Sequence, residues 1–342
     1  MSLFELFSLL GGVGLFLYGM TIMSTGLKNA CGENLRVILE HATKNKVISV
    51  VVGIAITMLI QSSSATDVMV IGFVNSGLMS LTQAIGVIMG ANIGTTITAQ
   101  ITAFNLSAYA PMILFVGAVL YLFVKKDMVK YVGSIIMGFG MLFEGIALMK
   151  TAIAPLAETE AFIHMISALE NPFLTVLFGI LFTALLQSSS SATVIFQAFA
   201  VQGIISYEAS VYLVIGAAIG SVTPNILASL TMSRNGKRTA LLNLLFNLIR
   251  AGILMILLFI FPQILTVIKS LSPGNVARQI ANTHTIFAIF AVLVMLPFSD
   301  KIVKLTQTLL PLKPEESRTG EERKLLYMTQ TGTIPSAVAV SQ

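Results

Sequence analysis

The chain has 342 residues, of which 56% are apolar and only 10% charged, with a formal net charge of +5 and a mean hydropathy of +0.90. Soluble domains average about a quarter charged residues, so a soluble globular protein is excluded, and the basic balance reads as cytoplasmic loops rather than a nucleic-acid surface. The single cysteine, Cys31, excludes an intramolecular disulfide framework and lacks metal-ligand spacing, and no nucleophile–base set points to an enzyme.

In chain order, an apolar segment at about 6–27 predicts a retained first membrane helix, followed by a charged amphipathic stretch from Glu33 to Lys46 at the interface. Between Val47 and Val124 the one charge is Asp67. The first part of that run, Val47 to Leu78, is interrupted by Gln61-Ser62-Ser63-Ser64. As one helix it would be about 48 Å long, against a hydrocarbon core of about 30 Å, so two half-helices in a re-entrant hairpin are expected. A polar tip at membrane depth survives where protein or a water-filled cavity surrounds it. A helix at about 80–103 follows, broken near Asn92-Ile93-Gly94-Thr95-Thr96, and then a plain one at about 108–124.

The order then repeats: a helix at about 131–150, an acidic connector from Ala157 to Asn171, a hairpin at about 172–204, a broken helix at about 207–231 and a plain one at about 239–261. One more helix covers about 280–298, and the tail beyond Asp300 is polar. The repetition is literal. Gln61-Ser62-Ser63-Ser64 returns as Gln187-Ser188-Ser189-Ser190, an offset of 126 residues, and the same offset pairs Gly12 with Gly138, Gly19 with Gly145 and Gly94 with Gly220 without a gap.

The expected fold is therefore an all-α polytopic membrane protein of two inverted-topology repeats, each with a re-entrant helical hairpin and a broken transmembrane helix. An odd number of crossings between equivalent points gives the copies opposite orientation. The expected division is repeat 1 at 1–128, repeat 2 at 129–262, an additional helix at 263–300 and a cytoplasmic tail at 301–342. Most Lys and Arg fall inside if the N-terminus is outside and the C-terminus cytoplasmic, as the positive-inside rule asks.

A polar break at the same place in each copy of a duplicated membrane unit points to a transporter's binding site. A serine-rich turn opening a half-helix offers hydroxyls, free N–H groups and the positive helix end, which suit an anion and phosphate in particular. That selects Ser62, Ser63, Ser64, Ser188, Ser189 and Ser190. The carbonyl end of the preceding half-helix, with the oxygens of Gln61 and Gln187, suits sodium. Asn92, Thr95 and Thr96 on one broken helix, and Ser221, Thr223 and Asn225 on the other, add further oxygens.

The paired Gln-Ser-Ser-Ser runs, each followed by a Gly-Ala-Asn-Ile-Gly-Thr-Thr-like segment, resemble the type II sodium-phosphate cotransporter family over about residues 5–300. The resemblance implies sodium-driven symport of inorganic phosphate across the plasma (inner) membrane, with Na+ as coupling ion, no organic cofactor, and the two tips at the substrate and sodium sites. Leu325-Leu326-Tyr327 and Ile334-Pro335-Ser336-Ala337-Val338-Ala339 resemble the linker before a PhoU-like regulatory domain, which does not follow here, so a shortened chain is expected. A homodimer is a further candidate assembly. Export of phosphate, carriage of another oxyanion, and a phosphate-sensing scaffold are the alternatives.

The copies differ at Ala218, where Asn92 has its counterpart, and at Asp67, whose counterpart is Thr193. The stronger cation site is thus expected on the first copy's broken helix, with Asp67 as charged contributor, and Asn92→Ala is expected to raise the sodium requirement. Arg250 and Glu144 lie deep in their helices, and a Glu144–Arg250 ion pair is expected, with an Arg250–phosphate contact as the alternative. His284 reads as a packed or interfacial histidine rather than a proton carrier.

Overall fold

The computed structural model describes residues 3–31, 45–104, 106–153 and 171–311. Most of the expected interfacial stretch from Glu33 to Lys46, most of the acidic connector and most of the polar tail lie outside them. Among the described residues there are helices and turns and no strand, and six helices are long and apolar enough to cross a membrane. The protein is an all-α polytopic membrane protein.

Helix α1 (Leu3–Cys31) lies along α7 (Asp127–Ile153). Glycines set the seam. Gly12 abuts the backbone of Gly145 and Met149, Gly145 abuts Phe16, Gly19 abuts Gly138 and Leu142, and Gly138 abuts Met23. Rising numbers on one helix meet falling numbers on the other, so the pair is antiparallel. Every contact also maps onto another under the 126-residue offset, the self-complementarity of a two-fold interface.

The first hairpin is α2 (Lys46–Ile60) and α3 (Ser63–Asn75), followed by α4 (Leu81–Gly94) and α5 (Thr96–Thr102). Fifteen residues of α2 make about 22 Å of helix, short of a bilayer core of about 30 Å. Asn45 caps α2 by accepting from the N–H groups of Val47 and Ile48, the role Asn171 repeats for α8 (Pro172–Leu186). Thr57 Oγ1 donates to Thr66 Oγ1 at 3.0 Å, pinning the two limbs next to the turn. Helices α2 and α4 run parallel and very close, with Gly53 against Val87, Gly90 against Val50 and Ile54, and Gly94 against Ile54 and Thr57. Helix α8 and α10 (Tyr207–Gly220) repeat this through Gly179, Gly216 and Gly220. Between them lies α9 (Ser189–Val201), and α11 (Thr223–Ser229) follows the second break.

The plain helices diverge from the chain-order expectation. Helix α6 (Ala110–Phe123) packs on α7 and buries only Ala110 and Gly117, with Met112, Phe115, Leu122 and Phe123 turned outward. Helix α12 (Arg234–Ile260) instead packs against α3, α4, α10 and α11. Its counterpart in packing is α14 (Val276–Met295), which lies against α9, α10, α4 and α5. Composition explains the exchange: α12 buries Asn243, Asn247 and Arg250, and α14 buries Gln279, Thr283 and His284, groups that lipid does not tolerate. A short α13 (Gln263–Ser270) joins them. The start of the expected polar tail is a further helix, α15 (Ser299–Leu309), because Ile302, Val303 and Thr306 share one face and bury it. Lys46 Nζ ties it to the start of α2 through Asp300 at 2.7 Å.

Candidate functional site

The two tips have the same local structure. Gln61 (φ 57°, ψ 26°) and Gln187 (φ 56°, ψ 19°) are left-handed, the conformation that ends a helix and normally belongs to glycine. Among the described residues no other non-glycine has positive φ, and such residues concentrate at functional sites. The serine after each is extended, and its hydroxyl caps the next helix: Ser62 Oγ accepts from Ala65 N at 3.2 Å and Ser188 Oγ from Ser191 N at 3.3 Å. This leaves the N–H groups of the two serines in between, 63–64 and 189–190, without the helical partner that later residues have. The hydroxyls of Ser63, Ser189 and Ser190 make no hydrogen bond to protein, whereas Ser64 Oγ donates to Ser221 O at 3.3 Å. The tip of the first hairpin thus touches the break of the second copy.

The predicted sodium residues divide. Gln61 is buried and engaged: its Oε1 accepts from Thr98 Oγ1 at 2.8 Å and its Nε2 donates to Met58 O at 2.6 Å. The end of α2 is not the open set of carbonyls expected, because Ser24 of α1 also bonds Ile60 O. Gln187 is exposed. Thr96 donates to Ile93 O, Ser221 to Ala218 O and Thr223 to Gly220 O, each back into its own break. Thr95 Oγ1 is buried without a partner.

Two expectations fail at the buried charges. Asp67 does not join Asn92. Its Oδ2 accepts from Asn225 Nδ2 at 3.0 Å and from Asn243 Nδ2 at 2.7 Å, because α3 packs against α11 and α12 of the other half. Arg250 does not pair with Glu144. Its Nη1 donates to Asn92 Oδ1 at 2.8 Å, so the amide expected to face sodium holds a guanidinium. Asn92→Ala should therefore act first on stability. Stripping a buried charged donor of its acceptor costs about 1–3 kcal/mol or more, to be read as a lowered unfolding temperature in detergent at fixed sodium; an unchanged temperature would mean that this bond is not structural. His284 is buried, with Nδ1 unpartnered.

Sequence reasoning missed Asn243 and Asn247, although with Arg250 they stand at helical spacing on one face of an apolar helix, a signal open to inspection. It also missed a polar row. Arg278 Nη1 donates to Gln100 Oε1 at 2.9 Å, Gln100 Nε2 donates to Asn282 and Thr285, and Thr285 Oγ1 donates to Thr96 Oγ1 at 3.1 Å. A cavity of about 440 Å³ opens nearby, lined in part by Thr102, Gln197 and Asn275.

The family model described as Na+/Pi-cotransporter matches residues 15–151 and 145–295, one span for each copy. The chain belongs to the Na+/Pi-cotransporter family. This is a family of phosphate transporters, not of enzymes. The "Putative inorganic phosphate export protein YjbB" of Escherichia coli (strain K12) is 31% identical over 311 residues, 91% of this chain and 56% of that protein. The chain thus spans about half the length of the curated YjbB relatives it matches. The "Uncharacterized protein YqeW" of Bacillus subtilis (strain 168) is 28% identical over 87% of this chain and 96% of its own length. The "Sodium-dependent phosphate transport protein 2A" of Rattus norvegicus is 37% identical over 97 residues, 28% of this chain and 15% of that one. No solved structure matches this member of the Na+/Pi-cotransporter family.

Proposed function

We propose that the chain is a sodium-coupled symporter of inorganic phosphate that works by alternating access between two inverted repeats. The observation that carries this reading is the pair of Gln-Ser turns, identical in backbone and capping, each opening a half-helix too short to cross a bilayer. Phosphate binds at free N–H groups and hydroxyls at 62–64 and 188–190, where helix dipoles favour an anion. The antiparallel run of α1 and α7 supports opposite orientation of the copies, since equivalent helices then cross the bilayer in opposite directions. The membrane is the plasma membrane, with the N-terminus outside.

Of the oxygens foreseen for sodium, those of Asp67, Asn225 and Thr95 are left with unmet capacity. Ser221, Thr223, Thr96 and Gln187 enter after rearrangement of the breaks, and Gln61 and Asn92 hold the scaffold. A second reading is export by the same machinery, favoured by the name of the Escherichia coli relative.

Both readings are tested in proteoliposomes with labelled phosphate outside for uptake or inside for efflux, and with sodium set on either side in each case. Symport predicts uptake that follows an inward sodium gradient and that arsenate competes more strongly than sulfate. Export predicts efflux from loaded vesicles with little uptake at any gradient. Phosphate flux in neither direction would sink both.

A further inference from the structure

The described interior contains one carboxylate sealed away from water in the middle of a hairpin limb: Asp67, 4% exposed. Among the described residues no Lys, Arg or His stands within ion-pair distance of it. Its surroundings are equally closed, with Asn225 at 0%, Asn243 at 1% and Asn247 at 2% exposure. A buried carboxylate without a basic partner is costly, and in practice it holds a proton or a cation.

The hydrogen bonds fix how these groups are oriented. A carboxylate only accepts, so Asn225 and Asn243 both turn their NH2 groups toward Asp67 Oδ2. Asn243 Oδ1 is then satisfied by Asn247 Nδ2 at 2.8 Å, and Asn247 Nδ2 also donates to Asn243 O at 3.0 Å. Three acceptor oxygens remain buried with no donor: Asp67 Oδ1, Asn225 Oδ1 and Asn247 Oδ1. Each belongs to a group already in the network. Buried acceptors left unpaired in this way are rare and call for an occupant. A proton on Asp67 would serve at most one pair of them. Carboxylate and amide oxygens of this kind are the ligands that a hard cation takes. One formal negative charge among neutral amides matches a monovalent ion.

We propose that Asp67, Asn225, Asn243 and Asn247 form a cation cage for a single sodium ion, with Asn243 holding the carboxylate in place as a positioning residue. The inference rests on the sodium-coupled reading but assigns the ion to the junction of the first hairpin with α11 and α12, not to the first copy's broken helix. It also supplies a route for coupling. Ser64 lies one turn before Asp67 on α3 and bonds Ser221 O, four residues before Asn225. Ion and anion therefore sit at two points of the same pair of elements, and filling the cage fixes the tip that receives phosphate.

The test is binding of radioactive sodium to the purified full chain in detergent, without phosphate, with potassium and choline as competitors. Wild type should bind saturably at one site. Asp67→Asn should bind about tenfold more weakly or worse, since it removes the ion's counter-charge. Asn247→Ala, which keeps the carboxylate and removes one orphan oxygen, should bind severalfold more weakly; it decides the matter if Asp67→Asn does not fold. Wild-type affinity in both variants, or no sodium binding by wild type, overturns the cage. Phosphate uptake by the same proteins separates the two readings. Sodium-driven uptake with undiminished sodium binding in the variants keeps symport and removes the cage. A cage that binds sodium in a protein whose phosphate flux ignores sodium does the reverse.

Discussion

Gly90→Val is expected to leave almost no folded protein in the membrane. A Cβ at Gly90 would lie 2.0 Å from Val50 O, 2.8 Å from Val50 C and 2.9 Å from Ile54 N, all backbone atoms of α2. Rotamer changes cannot relieve a clash between two helix backbones, so α2 and α4 must separate along their whole seam. Overpacking costs about 1–3 kcal/mol where side chains can yield and more where they cannot, against a total stability of about 5–15 kcal/mol. Gly216, whose Cβ would meet Val176 O at 2.1 Å, should behave alike. Gly72, in α3 with nothing within 4 Å of an added Cβ, is the control: Gly72→Ala should be neutral or gain about 0.5–1 kcal/mol. The measurement is the yield of monodisperse protein on gel filtration after mild solubilisation. A wild-type yield from Gly90→Val would show that the two helices are not held at the distance described.

The second large effect concerns the anion. Ser63 is the first residue of α3, and its hydroxyl bonds nothing in the protein. Ser63→Ala removes that donor and should weaken half-saturation by phosphate about 5- to 150-fold, the equivalent of about 1–3 kcal/mol for a desolvated charged partner. Ser63→Pro removes the backbone N–H as well. Proline is well tolerated at the first position of a helix, and Ser62, at φ −151° and ψ 107°, already has the extended conformation that a following proline demands. The proline variant should therefore fold, and should bind phosphate more weakly than the alanine variant. The Ser189 pair should repeat the result. Equal affinities for the proline and alanine variants would remove the backbone from the site, and wild-type affinity in all of them would remove the site itself.

The hairpins and breaks were legible because polar runs interrupt apolar sequence at equivalent places, and local chemistry alone decides that a helix stops there. Gln61 and Thr95 mark those stops within a residue or so of their observed positions. The partners of the buried charges were not legible. Asp67 meets Asn225 and Asn243 across separations of 158 and 176 residues, and a helical pattern reveals which face is polar but not which helix it meets. Charge complementarity favoured Glu144 for Arg250. The structure gives Arg250 the neutral Asn92 instead, because α12 packs on α4 and not on α7. The same limit misplaced the plain helices: α6 and α12 share a position in the chain order, but only the polar face of α12 requires shelter from lipid.

Around Gly12, Gly19, Gly138 and Gly145 the seam between α1 and α7 makes each of its contacts twice, and that has a bearing on ancestry and on energetics alike. A chain of half this length would carry both faces of the seam on one helix and could mate with another copy of itself. Such an ancestor could change no position without changing its twin. Encoding both halves in one gene lifts that restriction, and the halves then part company at Asp67 against Thr193 and at Asn92 against Ala218, while Gly12, Gly19, Gly138 and Gly145 stay matched. A carrier with identical opposed halves has outward and inward forms of equal free energy. Under the alternating access proposed above, halves that differ make the two forms no longer mirror states, and their resting populations a quantity that single substitutions at the unmatched positions can set.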